Sequence, residues 1–158
     1  MQGIDFLFSI AVLILSVIIH EVSHGYAANA MGDPTARHAG RLTLNPLPHI
    51  DLFGSVLLPV FTYFAGGFIF GWAKPVPYNP YNLKNQRWGP AMVAVAGPAA
   101  NVAIAAVFGL IIRFSSVLGL SAEFVNIAIA ITFINIVLAV FNCVPIPPLD
   151  GSKVLFAL

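Results

Sequence analysis

Charge is what this sequence has least of. Seven Lys+Arg and six Asp+Glu among 158 residues make it 8% charged, against about 25% in soluble globular domains. A surface so poor in charge cannot be wetted on all sides, which excludes a water-soluble domain. Disorder is excluded too, because disordered chains pair low hydrophobicity with high charge, and here 59% of residues are hydrophobic. The net charge is +1 with no basic run, so nothing electrostatic supports nucleic-acid binding. The lone cysteine, Cys143, excludes an internal disulfide and a Cys-rich zinc site, and reads as a small inert apolar residue. What remains is an integral membrane protein in contact with a lipid bilayer, in keeping with a mean hydropathy of +0.91. Each of its few charges then needs a reason.

A spanning helix needs about 20 mostly apolar residues. Residues 6–19 carry no charge, and the helical pattern continues through His20 and Glu21 to the turn at Gly32-Asp33-Pro34. This is no secretory signal: Asp5 stands where Lys or Arg is expected, and no cleavage site follows the apolar run. Charge-free stretches follow at 52–73, 88–112 and 124–149. In 88–112 the pairs Ala96/Ala100 and Ala99/Ala103 suit close helix packing in lipid, and Gly97-Pro98 predicts a kink. The last stretch reads as helical to Asn142, where Pro145, Pro147 and Pro148 stop it. A new helix opens near Leu149-Asp150-Gly151 and is too short to span by Leu158, which leaves truncation at the C-terminus open. The expected fold is all-α: a single domain over 1–158 with about three to four transmembrane helices, a re-entrant segment or short β-loop, and a truncated last helix.

The chemistry lies in His20-Glu21-Val22-Ser23-His24, an H-E-x-x-H pattern. Histidines at i and i+4 share one helix face, so both imidazoles can reach one Zn²⁺. Glu21, beside the first of them, is placed to take a proton from water. Three ionisable groups in an apolar segment are costly to keep without a function. A catalytic zinc also needs a third protein ligand and an open position. Asp5, Asp33, Asp51 and Glu123 lie at segment ends or in loops, and His38 and His49 read as loop histidines. Asp150 follows a broken apolar segment and opens a helix, where it would ordinarily be a cap. The zinc's demand for a third ligand makes it the preferred candidate.

His20-Glu21-Val22-Ser23-His24 together with Phe141-Asn142-Cys143-Val144-Pro145-Ile146-Pro147-Pro148-Leu149-Asp150-Gly151 resembles the site-2 protease family of intramembrane zinc metalloproteases. Ala96-Gly97-Pro98-Ala99-Ala100-Asn101 resembles that family's A-G-P-x-x-N segment. The likeness covers the chain from about residue 10 and fits compact prokaryotic members without a PDZ domain. It implies one zinc per chain on His20, His24 and Asp150, with Glu21 as the catalytic carboxylate. It also implies that Asn142 binds the substrate backbone or stabilises the oxyanion. The implied substrate is a transmembrane protein cleaved in or near its membrane segment. Gly151-Ser152-Lys153 departs from the family's frequent D-G-G form. Asn101 reads as a hydrogen-bonding residue between helices. Two other classes compete: a metal or proton-coupled transporter, which would favour repeats this chain lacks, and a catalytically silent scaffold.

Topology follows from depth. His20 and His24 lie past the midpoint of the first helix, so Asp150 must reach the same end of the bundle. It does so only if 52–73 dips in and returns. Then Arg37, Arg41, Lys74, Lys84 and Arg87 share one side and Arg113 faces the other. The positive-inside rule makes the first side cytoplasmic: the N-terminus is outside, and the site opens to the cytoplasm, in the plasma membrane of a prokaryote. Phe68-Ile69-Phe70-Gly71-Trp72 reads either as a strand edge for an extended substrate or as an interfacial aromatic belt with Tyr63.

Overall fold

The structure, a computed structural model, describes residues 2–66 and 72–157, with backbone alone for residues 2–7, Val56, Pro59 and Tyr63. The chain forms helices α1 (Gln2–Ala30), α2 (Thr35–His38), α3 (Leu58–Gly66), α4 (Gly89–Arg113), α5 (Ala122–Asn142) and α6 (Asp150–Leu155). Three described helices are long and apolar enough to cross a membrane: Phe8–Ala30 of α1, α4 and α5. The fold is therefore an all-α, multi-pass membrane protein.

α4 is the central helix, packed on α1, α5 and α6. Its buried stripe is Ala94, Gly97, Pro98, Asn101 and Ala105, while Ala99 and Ala103 face outward. The close-packed face is thus a step around the helix from the alanine pairs picked out by sequence, because Gly97 and Asn101 must point at α1. α5 buries only Ala128, Asn135 and Ala139 among its described side chains. Its large residues, such as Phe133 and Val140, face outward, as a lipid-facing helix requires.

Side-chain bonds fix the relative directions. His24 meets Val93, His20 meets Asn101, and Asn135 meets both Asn101 and Ser16. α1 and α4 therefore run antiparallel, and the end of α1 lies beside the start of α4. Lys84 N–H donates to Met31 O at 2.9 Å at the same end. The chain between the two helices leaves this end and comes back to it.

The short β-loop needs correction: among the described residues there is no strand. Leu52–Leu57 form a π-helix that leads directly into α3. A helix satisfies the backbone of an apolar segment internally, which a lone hairpin does not. Asp51 caps the entrance, accepting from Gly54 N–H at 2.7 Å. The helical run of six and nine residues is roughly 22 Å long, short of the roughly 30 Å hydrocarbon core. The chain beyond it comes back to its start: Trp72 N–H donates to Gly54 O at 3.0 Å, and Lys74 N–H to His49 O at 2.8 Å. Of the segment proposed as a strand edge, residues 68–71 lie outside the described residues. Trp72 makes this isolated bond rather than a ladder.

Asp33 ties the loop after Trp72 to the end of α1. Its carboxylate accepts from Asn79 N–H at 2.6 Å, Asn82 Nδ2 at 2.9 Å, and the Thr35 hydroxyl and N–H. Burial alone would raise its pKa. The hydrogen bonds from Thr35, Asn82 and Asn79 outweigh that and hold it below the usual carboxylate range. A depressed carboxyl adds stability above its unfolded pKa and loses that stability as pH falls. Asp33→Ala is expected to cost about 1.5–3 kcal/mol at neutral pH. Thermal unfolding in detergent should show the two proteins converging as pH drops below about 4.

Candidate metal centre

His20 and His24 are both buried on the face of α1 that meets α4, their rings 4.7 Å apart at centroids and nearly perpendicular. α6 brings in the third group. The prolines after Asn142 break α5, the chain turns, and Asp150 opens the new helix, buried. Its Oδ2 lies 3.0 Å from His20 Nε2 and 3.0 Å from His24 Nε2. A tetrahedral ion with ligands at about 2.0–2.1 Å holds them about 3.3 Å apart, so the spacing suits a single ion. Donor atoms of His20, Glu21 and His24 also lie within 4.8 Å of one another.

The proton positions follow from partners that can only accept. Val93 O accepts from His24 Nδ1 at 2.7 Å, so that nitrogen carries hydrogen. Ile131 O accepts from Asn135 Nδ2 at 2.9 Å, which turns Asn135 Oδ1 toward Asn101. Asn101 then donates Nδ2 to it at 2.8 Å and presents Oδ1 to His20 Nδ1 at 2.6 Å. Both imidazoles, when neutral, are thus Nδ1–H tautomers with bare Nε2 lone pairs. In that state two lone pairs and a carboxylate oxygen converge on one point, an arrangement that a shared cation stabilises. The residues present therefore fit a zinc ion.

Asn101 and Asn135 are each 0% exposed. Asn101 was expected to bridge helices; it does, and it also fixes a histidine. Asn135 and Ser16, whose Oγ accepts from Asn135 Nδ2 at 3.0 Å, were not anticipated. Their signal is a polar side chain in an apolar helix. Hydrogen bonds behind metal-binding histidines are worth roughly 10–100-fold in affinity. Asn101→Leu is expected to weaken zinc binding by that factor, measured by competition with a chelator.

Gly97 was expected to kink α4, but its position explains it better. A Cβ there would lie 2.5 Å from His24 Cε1 and Nε2 and 2.6 Å from His20 Nε2. Any side chain would occupy the space in front of both histidines.

Glu21 is partly buried, and its Oε2 accepts from Val76 N–H at 2.9 Å. Asp150 divides its carboxylate, with Oδ2 on the histidines and Oδ1 3.0 Å from Lys153 Nζ. Lys153 therefore holds the third group in the tail that departs from the D-G-G form. Asn142 Nδ2 donates to Leu138 O at 2.9 Å in the preceding turn. The rejected ligand candidates are used elsewhere. Asp33 and Asp51 are committed to loop and cap, Glu123 opens α5, and His38 is exposed. His49 is buried, its Nε2 2.9 Å from Thr43 O.

Known proteins point the same way. The chain is 38% identical over 152 residues to YwhC of Bacillus subtilis, aligned over 90% of this chain and 65% of that protein. It is 31% identical over 154 residues to Rip2 of Mycolicibacterium smegmatis, over 92% of this chain and 55% of that protein. MJ0611 of Methanocaldococcus jannaschii is 34% identical over 160 residues, over 94% of this chain and 72% of that protein. All three bear provisional names as zinc metalloproteases. The chain thus spans less than two thirds of the first two relatives. No solved structure matches it. The description of peptidase family M50 matches residues 8–126 and 115–158, and this chain belongs to that family.

Proposed function

We propose that this chain carries the catalytic domain of an intramembrane zinc metalloprotease, which hydrolyses a peptide bond in or near a transmembrane segment of another membrane protein. One observation carries the reading: Asp150 Oδ2 lies 3.0 Å from both His20 Nε2 and His24 Nε2 inside an apolar bundle. We assign these three as the ligands of one zinc, a common set for that metal. Zinc, when bound, polarises a carbonyl and brings the pKa of water to about 7. Glu21 takes the proton of the attacking water as its oxygen joins the carbonyl carbon. It then delivers that proton to the amine as the C–N bond breaks. The Val76 N–H bond holds one oxygen of Glu21, which leaves the other for the proton. Asn142 donates one amide hydrogen to Leu138 O, and its second hydrogen would serve the substrate backbone or the oxyanion.

The site opens to the cytoplasm in this proposal. The end of the bundle shared by the exit of α1 and the entry of α4 carries Arg37, Arg41, Lys74, Lys84 and Arg87, while Arg113 ends α4 at the opposite side. That asymmetry supports a cytoplasmic placement, and the meeting of Trp72 with Gly54 supports a re-entrant segment between them. The bacterial and archaeal relatives support a prokaryotic plasma membrane.

The test is a reconstituted assay with a model transmembrane substrate, comparing wild type with Glu21→Ala. Cleavage by wild type and none by the variant supports the protease. Zinc flux without cleavage points to a transporter, and neither activity points to a scaffold.

A further inference from the structure

We propose that Arg41 is a positioning residue for Glu21, acting through the peptide unit that joins Pro75 to Val76. Arg41 is only 7% exposed, and among the described residues no carboxylate pairs with it. Its Nη2 instead donates to Lys74 O at 2.7 Å and Pro75 O at 3.4 Å, and its Nε has no partner among the described residues. A guanidinium cannot shed its proton to ease such burial, so its placement against these carbonyls needs a reason.

The reason lies on the other edge of the same peptide unit. Pro75 O and Val76 N–H belong to one peptide plane. That bond is trans, so the two groups point in opposite directions. Arg41 stands at the oxygen and Glu21 Oε2 accepts at the hydrogen, 2.9 Å from the nitrogen. A cation at the carbonyl polarises the amide and strengthens its N–H as a donor. Between Pro75 and Pro77, neither of which has an N–H, Val76 supplies the one main-chain donor of the tripeptide.

The segment is also clamped in place. The buried Val76 side chain lies on α1 at Gly25, where a Cβ would come within 2.8 Å of Val76 Cγ1 and 2.6 Å of Leu42 Cδ2. Gly25 directly follows His24, so the clamp sits on the turn that carries the site. Lys74 N–H on His49 O anchors the segment upstream.

The catalytic half of this inference rests on the protease reading; the positional half does not. The test uses the full chain in lipid nanodiscs. Hydrogen exchange within 75–77 reports Val76 alone, since the prolines carry no amide hydrogen. Arg41→Gln is expected to speed Val76 exchange by about tenfold, and Arg41→Lys to restore part of the protection. Arg37→Gln, an exposed charge on α2 just before the loop that bears Arg41, should change nothing. In the cleavage assay Arg41→Gln should lower kcat about tenfold with KM and zinc content kept. Wild-type exchange at Val76 in Arg41→Gln would overturn the proposal, as would a kcat loss that merely follows zinc loss. If Val76 exchange responds as expected but wild type cleaves nothing, the Arg41–Val76–Glu21 link stands and the protease reading fails.

Discussion

Glu21→Gln is expected to keep its zinc and lose cleavage. Glutamine has the same shape, and its carbonyl can still accept from Val76 N–H, so the contact at 2.9 Å and the loop behind it survive. What goes is the capacity to take and return a proton, a role worth about 10²–10⁴ in rate. The experiment also decides which carboxylate holds the metal. Glu21 and Asp150 both approach the histidines, since Glu21 shares the 4.8 Å cluster and Asp150 Oδ2 sits 3.0 Å from each Nε2. If Asp150 is the ligand, zinc content falls in Asp150→Ala and holds in Glu21→Gln. The opposite pattern would exchange their roles. Full activity in Glu21→Gln would remove the proposed mechanism.

Gly97→Ala is expected to strip the site of metal while leaving the helices standing. The added methyl would lie 2.5–2.6 Å from atoms of both imidazoles, too close to be accommodated without movement. The rings have little freedom to retreat. His24 Nδ1 is tied to Val93 O at 2.7 Å and His20 Nδ1 to Asn101 Oδ1 at 2.6 Å, both on the helix that bears residue 97. Helix α4 itself gains, because alanine is the better helix former by about 1 kcal/mol. Zinc affinity should drop about 100-fold or more in a chelator competition, with circular dichroism unchanged. An unaltered affinity would show that the histidines are not held against α4.

Much of the site is legible before folding. The i, i+4 spacing places His20 and His24 on one face, and the need of a catalytic zinc for a third ligand turns attention to Asp150, which opens a helix after a broken apolar segment. The depth argument, that the chain must return between the first two long helices, agrees with the bond from Lys84 to Met31. What stays hidden depends on how helices rotate. α5 is apolar almost all round, so no pattern marks Asn135 as inward-facing. On α4, alanines recur on several faces, and only the contacts with His20 and His24 select the one with Gly97 and Asn101. The short β-loop failed for a different reason. The depth argument asked only for a segment that dips in and returns, and among the described residues an apolar helix does this with its backbone bonded internally. The role assigned to Asn142 rests on the resemblance alone.

The central claim is that one zinc sits on His20, His24 and Asp150. Zinc-edge X-ray absorption on the purified full chain tests it most directly, with metal content measured on the same sample. The account predicts one zinc per chain with two imidazole nitrogens and oxygen ligands at about 2.0–2.1 Å, and loss of that zinc in His24→Ala and Asp150→Ala. A sample without zinc after metal loading, or a bound zinc with no imidazole signature, would contradict it.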